Sequence, residues 1–366
     1  MELTDVTLRE GNQLPGRSYG VRERLRAGQA LDELGVPYIQ AGFPATGERD
    51  RTAVAELAAE ADADVVALAR ALPSDVDAAL DAEADAIELF GPLGDHQLGV
   101  LGMQRSEMLT SFRDAIDRAH DAGVAVHLCL LDAFRTDDAH LVAAFDRFPN
   151  VDYVNLADTV GVRTPEEVRE RIERLSASVS LERASVHFHD DLGVATANAL
   201  VADALGVGKA DVSVAGLGER AGNVPLEEFV VASTLAREET FGLDPTRLVP
   251  TCNAVLEALS ETVHERKAVL GREATRHESG IHTAAMLEDP STFEPYDPAT
   301  FGGSRELVFG EKTGAGGARR LLERAGVAVD EEIVSAFLEL LAERGPVTTD
   351  EAIALAGALR AERDGA

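Results

Sequence analysis

Two histidines stand two positions apart in SVHFHDDLGV, residues 185–194, at the end of an apolar run. Read as a strand, that run puts His187 and His189 on one face, separated by roughly 6.6 Å of backbone rise. An H-x-H pair on a strand face also occurs as simple hydrogen-bonded packing. The adjoining HDDLG places carboxylates and a turn at the same rim, which favours a site. A second cluster lies in TLREGNQ (7–13), where Arg9, Glu10 and Gln13 crowd the end of the first apolar run. Glu10 beside His187 and His189 makes a two-histidine, one-carboxylate set that leaves positions open for substrate. In GLGERAGN (216–223) Asn223 can add a fourth oxygen, and the glycines permit close backbone approach. Such a donor set accepts a divalent ion: Zn, Mn, Co or Mg.

These residues can meet only if several strand ends converge. Eight short apolar runs recur along the first 245 residues: 3–8, 36–42, 63–69, 84–90, 124–130, 151–157, 184–189 and 210–216. Between them lie stretches of helical periodicity, such as 21–34, 105–122 and 164–177. The last has Thr164 as N-cap, Pro165 in the first turn and Glu167 at the capping-box position. Eight strands each followed by a helix predict an α/β fold, a (β/α)8 TIM barrel, whose chemistry sits at the C-terminal strand ends. A doubly wound open sheet is the alternative, but no glycine-rich phosphate turn with a ribose-binding carboxylate accompanies it. The expected division is a catalytic barrel over 1–245 and a C-terminal helical region over 246–366. In the latter, 251–271 reads as one helix, 276–317 as loops with short elements, and 318–326, 330–345 and 348–362 as three closing helices.

The sequence carries 65 Asp and Glu against 34 Lys and Arg, a net charge of −31, and has three lysines, Lys209, Lys267 and Lys312. So acidic a surface repels nucleic acid and anionic membrane, and it suits a salty interior where self-repulsion is screened. Cys129 and Cys252 form neither a disulfide framework nor a metal motif. The opening MELTDVTLREGNQ has no signal-peptide pattern, and no run reaches the roughly 18 apolar residues of a membrane helix, so a cytoplasmic location is expected.

Taken together, TLREGNQ, HFHDDLGVATANAL, GLGERAGN, HESGIHTAAML (277–287) and GEKTG (310–314) resemble the DRE-TIM metallolyase superfamily. Within it they look like the isopropylmalate, citramalate and homocitrate synthase branch, and the resemblance runs through nearly the whole chain. It implies a Claisen-type condensation of acetyl-CoA with a 2-oxo acid on a divalent metal held by Glu10, His187, His189 and Asn223. It implies that Arg9 and Gln13 lie near the oxo and carboxylate groups, that Thr159 in LADTVG binds the carboxylate, and that Arg70 in VALARAL is on the substrate side. His277 is implied in acid/base work at the acetyl group, with His282 in support. Gly310, Lys312, Thr313 and Gly314 are implied near the acyl-CoA. A homodimer is implied in which the C-terminal helices fold over a barrel mouth, and no leucine-sensing regulatory domain is expected.

The chain departs from that pattern. Where the fifth strand commonly ends F-S-x-E-D-A, it reads LCLLDAF (128–134), with Cys129 for the serine and Leu131 for the glutamate. Gln40 replaces the glutamate of I-E-x-G-F-P, and LFGPLGDHQLG (89–99) differs from the usual fourth-strand loop. His127 shares a face with Leu131 but lies about 13 Å along an ideal strand from it, a poor substitute. Asp95, His96, Asp132 and Arg135 are nearby candidates for polar duties. His120, His140 and His264 fall in expected helices. An aldolase or lyase of the same superfamily, or a non-catalytic homologue, are the competing readings. VALARAL resembles the isopropylmalate and citramalate type, whereas LREG and DAFRTD lean toward homocitrate synthases, so the oxo acid is left open. The charge balance predicts that thermal stability rises from low to multimolar salt; a melting temperature that does not move with salt would remove the salt-adaptation reading.

Overall fold

The computed structural model describes residues 1–364. Eight strands form a closed barrel in sequence order: β1 (Glu2–Asp5), β2 (Tyr38–Gly42), β3 (Asp64–Arg70), β4 (Ala86–Pro92), β5 (Ala125–Leu131), β6 (Tyr153–Asp158), β7 (Ala184–Phe188) and β8 (Lys209–Val212). Every pairing is parallel, and β8 closes on β1 with Glu2 opposite Lys209 and Asp5 opposite Val212. Outward positions such as Val65, Ala67, Ile87, Leu89, Val126 and Leu128 are fully buried beneath the helices. The expected helix after β6 spans Pro165–Ser176, with Thr164 and Glu167 joined in the predicted capping box.

The inward positions are polar to an unusual degree. Gln40, Glu88, Asn155 and Asp211, one from each even-numbered strand, make one layer of four, the arrangement a barrel of this kind imposes. Gln40 Nε2 donates to Glu88 (3.2 Å), and Asn155 Nδ2 lies 3.4 Å from Glu88 and 2.8 Å from Asp211. Toward the N-terminal ends, Lys209 is fully buried, donates to His127 Nδ1 (3.0 Å) and packs against the rings of Tyr38 and Tyr153. His127 thus lies at the end away from the chemistry, as its strand position implied.

The first strand is shorter than its apolar run. It stops at Asp5, and Thr7–Glu10 forms a helical turn, so Arg9 and Glu10 are presented from a turn rather than from a strand end. The cause is local: the Asp5 carboxylate accepts from the Thr7 amide (2.9 Å) and hydroxyl (3.0 Å), while the Arg9 and Glu10 amides bond back to the Val6 carbonyl. The Thr7 hydroxyl in turn accepts from Val214 N (2.8 Å), tying the turn to the segment after β8.

The chain packs as two compact units, one of Met1–Asp244 with Pro250–Thr262 and the other of Pro245–Val249 with Val263–Ala366. The helix expected over 251–271 is corrected to Leu248–Ala258. It is closed by the Glu261 amide bonding back to Leu256 O (2.8 Å) and by Ser260 in a left-handed conformation, a helix-terminating pattern, which leaves His264 outside any helix. In the second unit the three closing helices are present as Ala315–Arg324, Glu331–Arg344 and Thr349–Asp364. Three short strands that helical periodicity did not reveal, β9 (Arg276–His277), β10 (Glu306–Phe309) and β11 (Val347–Thr348), form a small sheet in the order β11-β10-β9. Phe309, Leu321, Phe337, Leu341 and Ala356 lie in the core of that unit. Among the described residues, no helix is long and apolar enough to cross a membrane.

Asp5 anchors the turn that carries Glu10, and its own burial, with Glu227 and Asp211 nearby, lifts its carboxyl from 3.8 to about 7 despite the bonds from Thr7. The fold therefore holds a proton that the unfolded chain releases above about pH 4. This contribution to stability is complete below that pH and is lost as pH rises through about 7. Asp5→Asn is expected to flatten that part of the stability profile, measured by urea unfolding at a series of pH values.

Candidate metal and substrate site

At the C-terminal mouth, β7 delivers His187 and His189 and the turn after β1 delivers Glu10. One donor atom from each lies within 4.8 Å of the other two, and all three residues are buried. The His187 and His189 Nε2 atoms are 3.4 Å apart, and Glu10 Oε1 is 3.6 Å from His187 Nε2. Arg9 sits beside them, bonded through Nε to Gln40 Oε1 (2.5 Å) and through Nη1 to Glu10.

The protonation states suit a cation. His187 Nδ1 is 2.9 Å from Asp211 Oδ2. The carboxylate holds the ring proton on Nδ1 and turns the Nε2 lone pair toward Glu10 and His189. Burial opposes charge on His187, but Asp211 and Glu10 outweigh it and raise its pKa. Burial and His187 push His189 down to about 4, so its ring is neutral near pH 7. Burial alone would raise the Glu10 carboxyl; Arg9, His187 and His189 hold it below the usual value. Glu10 Oε2 and His189 Nδ1 are buried without a hydrogen-bond partner among the described residues. Two ring nitrogens facing one another beside an orphaned carboxylate oxygen fit a divalent ion.

Asn223 also reaches this cluster. Its Nδ2 is 3.1 Å from His187 Nε2 and 3.2 Å from the Phe188 carbonyl, while Oδ1 is buried without a partner. Its amide oxygen is thus turned away from the imidazoles and lies where a Cβ on Gly218 would collide with it, so a side chain there would displace the Asn223 amide.

A cavity of about 250 Å³ opens over the triad. Arg9, Glu10, Gln13, Thr159, His187 and His189 all line it, so the barrel's sequence-derived candidates come together. Arg70 does not join them. It lines a neighbouring cavity of about 350 Å³ and is held by Asp75 through two bonds of 2.7 and 3.1 Å. Of the loop candidates, Asp132 pairs with Arg135, Asp95 pairs with Arg105, and His96 is exposed. His277, Gly310, Lys312, Thr313 and Gly314 belong to the second unit. There the His277 segment and the GEKTG loop adjoin: Lys312 pairs with Glu278 (2.8 Å), and a Cβ on Gly280 would strike the Lys312 carbonyl. His282 stacks on Phe293 at 4.0 Å.

Glu88, Asp211 and Glu219 escaped the reading of the sequence. Glu88 and Glu219 line the cavity, and Asp211 orients His187. The available signal was period: Glu88 is the one charged residue in the apolar run of β4, and Asp211 shares the inward parity of Lys209 on β8. Cys129, also in the wall, is an inert thiol, because burial and the Glu88 carboxyl push its pKa well up.

An eight-stranded barrel that gathers two imidazoles and a carboxylate at its C-terminal mouth defines a metal-dependent TIM-barrel protein. Residues 1–255 match the HMGL-like family, and residues 269–345 match a homocitrate synthase post-HMGL domain-like family. The chain belongs to the HMGL-like family, in the branch of homocitrate, citramalate and isopropylmalate synthases. It is 40% identical over 349 residues to a homocitrate synthase of Methanopyrus kandleri, covering 93% of this chain and 87% of that protein. A second protein of that organism, assigned as a 2-isopropylmalate synthase, is 35% identical over 349 residues, covering 94% and 70%. Among solved structures, the hydroxymethylglutaryl-CoA lyase of Pseudomonas aeruginosa superposes with a TM-score of 0.64 at 24% identity, covering 71% of this chain and 93% of that one, a likeness of fold.

Asp211→Asn removes the charge that fixes the His187 ring and is expected to weaken metal affinity by about 10–100-fold. Competition against a chelator, with circular dichroism to verify folding, measures it. An unchanged affinity would show that Asp211 does not orient the ligand.

Proposed function

We propose that the protein is an acyltransferase that condenses acetyl-CoA with a 2-oxo acid and releases coenzyme A. The observation that carries this reading is the convergence of Glu10, His187 and His189 beside Arg9 in one cavity, in a chain of the synthase branch. When bound, a divalent ion polarises the ketone of the oxo acid and stabilises the charge that builds on its oxygen. Asn223 is the proposed fourth donor, through its unpartnered amide oxygen once the amide is turned over.

The remaining work belongs to side chains. Arg9 offers its free Nη2 edge to the substrate carboxylate, a charge-assisted contact. Thr159 Oγ1 already accepts from the Asp132 amide (2.8 Å), which leaves the hydroxyl proton to donate to the same carboxylate, and Gln13 adds an amide. The acetyl methyl must lose a proton as its carbon bonds to the ketone carbon, the ketone oxygen gains one, and water then cleaves the thioester. Leu131 can take no part in proton transfer. His277 is assigned to it: burial holds its pKa below the ordinary value, so the ring is neutral and basic near pH 7. On this reading the protein is a homodimer, and the Gly310–Gly314 loop meets the acyl-CoA. A cytoplasmic location is part of the same proposal.

Thiol release from acetyl-CoA with pyruvate, 2-oxoisovalerate, 2-oxoglutarate and oxaloacetate, in high salt with several divalent ions, tests it. Release that disappears with a chelator is expected, and no release with any acid would overturn the reading. His277→Ala should lower turnover by about 10²–10⁴-fold with metal affinity intact; loss of metal would contradict the assignment.

A further inference from the structure

The cavity's walls also say which kind of 2-oxo acid it takes. A 2-oxo acid held by its ketone and carboxylate at the triad and Arg9 must direct its side chain at the rest of the cavity. Apart from Gln13, Thr159, Glu88 and Glu219, that remainder is apolar: Phe43, Leu68, Phe90, Leu131 and Ala157, with the un-ionised Cys129 thiol. Among the described residues, Arg9 is the one Lys or Arg side chain lining the cavity. Its Nε is committed to Gln40 and its Nη1 to Glu10, so it has an edge for one carboxylate and none for a second.

The other charges act in the same direction. Glu88 and Glu219 also line the cavity, and a distal carboxylate would lie beside their carboxyl groups with no lining cation to pair with. Two further arginines stand near but are committed: Arg220 is held by Asp191 through two bonds (2.9 and 2.8 Å) and by the Thr159 carbonyl (2.9 Å), and Arg70 lies across the Phe90 and Leu131 partition in the neighbouring cavity. It is bound at two points by Asp75, which is 1% exposed, and drawing it away would strand a buried carboxylate. That second cavity is itself mostly apolar, with Leu72, Pro92, Leu101, Met103 and Met108 in its wall.

We infer that the site selects 2-oxo acids with an apolar side chain over those carrying a distal carboxylate. The inference rests on the proposed function, in that the triad and Arg9 hold a 2-oxo acid. The names of similar proteins span both outcomes: homocitrate is a tricarboxylate, whereas 2-isopropylmalate is a dicarboxylate with an apolar branch. This chain's cavity matches the second kind.

Calorimetric binding of 2-oxoisovalerate and 2-oxoglutarate to the metal-loaded full chain in high salt tests selection without requiring turnover. Binding of 2-oxoisovalerate about tenfold or more tighter is expected. Leu131→Lys, which places an ammonium in the apolar wall, should narrow or reverse that ratio, with Leu131→Met as the control that leaves it in place. Equal or tighter binding of 2-oxoglutarate by the unaltered protein overturns the inference, as does binding of neither acid. Thiol release separates the two levels. Selective binding without release contradicts the condensation and leaves selectivity standing, whereas release that favours 2-oxoglutarate keeps the condensation and ends the inference.

Discussion

A carboxylate at the centre of a barrel must be given partners, and Asp211 is the one around which this molecule is arranged. It is 1% exposed, and an unpaired charge so deep costs several kcal/mol. Burial alone would raise its pKa, yet bonds to His187 and Asn155 and the charge of Lys209 hold it low. The ionised Asp211 then determines which His187 nitrogen carries the proton, and so where the remaining lone pair points. The ligand geometry at the mouth is a consequence of how a charge one layer deeper is satisfied.

That dependence continues toward the N-terminal end. Lys209 is two residues before Asp211 on β8 and therefore shares its inward face. It is fully buried, bonded to His127 and enclosed by Tyr38 and Tyr153, so its charge acts on Asp211 and Glu88 without screening by solvent. His127 stays neutral, pushed well below its ordinary pKa by burial and by Lys209. Apolar layers of similar volume would stabilise a barrel at least as well. The stacked polar layers instead keep one imidazole aligned and one carboxylate ionised beneath the reaction cavity.

The sequence made the barrel and the triad legible for a simple reason. Alternation places whole strands, and His187 and His189 were two apart on one of them. Glu10 was found for a partly wrong reason, because the Asp5–Thr7 contacts end β1 early and bring the ligand in on a turn. Asp211, Glu88 and Asn155 were hidden in runs whose average is apolar, and only their inward parity marks them. The helix expected over 251–271 kept its periodicity beyond its true end, since the Ser260 conformation and the Glu261 amide bond are backbone events. The small sheet of the second unit was invisible because strands of two to four residues carry no period.

Two of the three substituted positions inside the barrel, Gln40 and Cys129, make contact with Glu88. Gln40 Oε1 accepts from Arg9, and its Nε2 donates to Glu88. A carboxylate at position 40 could do the first but not the second, and it would set two carboxyl groups against each other where the Gln40 amide now links Arg9 to Glu88. Glu88 is already destabilised as an anion by burial and by Asp211, so a further negative neighbour would be poorly tolerated. The neutral Cys129 thiol, hydrogen-bonded to Glu88, and the apolar Leu131 complete the same surroundings. A carboxyl group thus lines the cavity from β4, with a neutral amide on β2 and an apolar wall at the end of β5, and the Gln40 amide is what lets Arg9 and Glu88 share a partner.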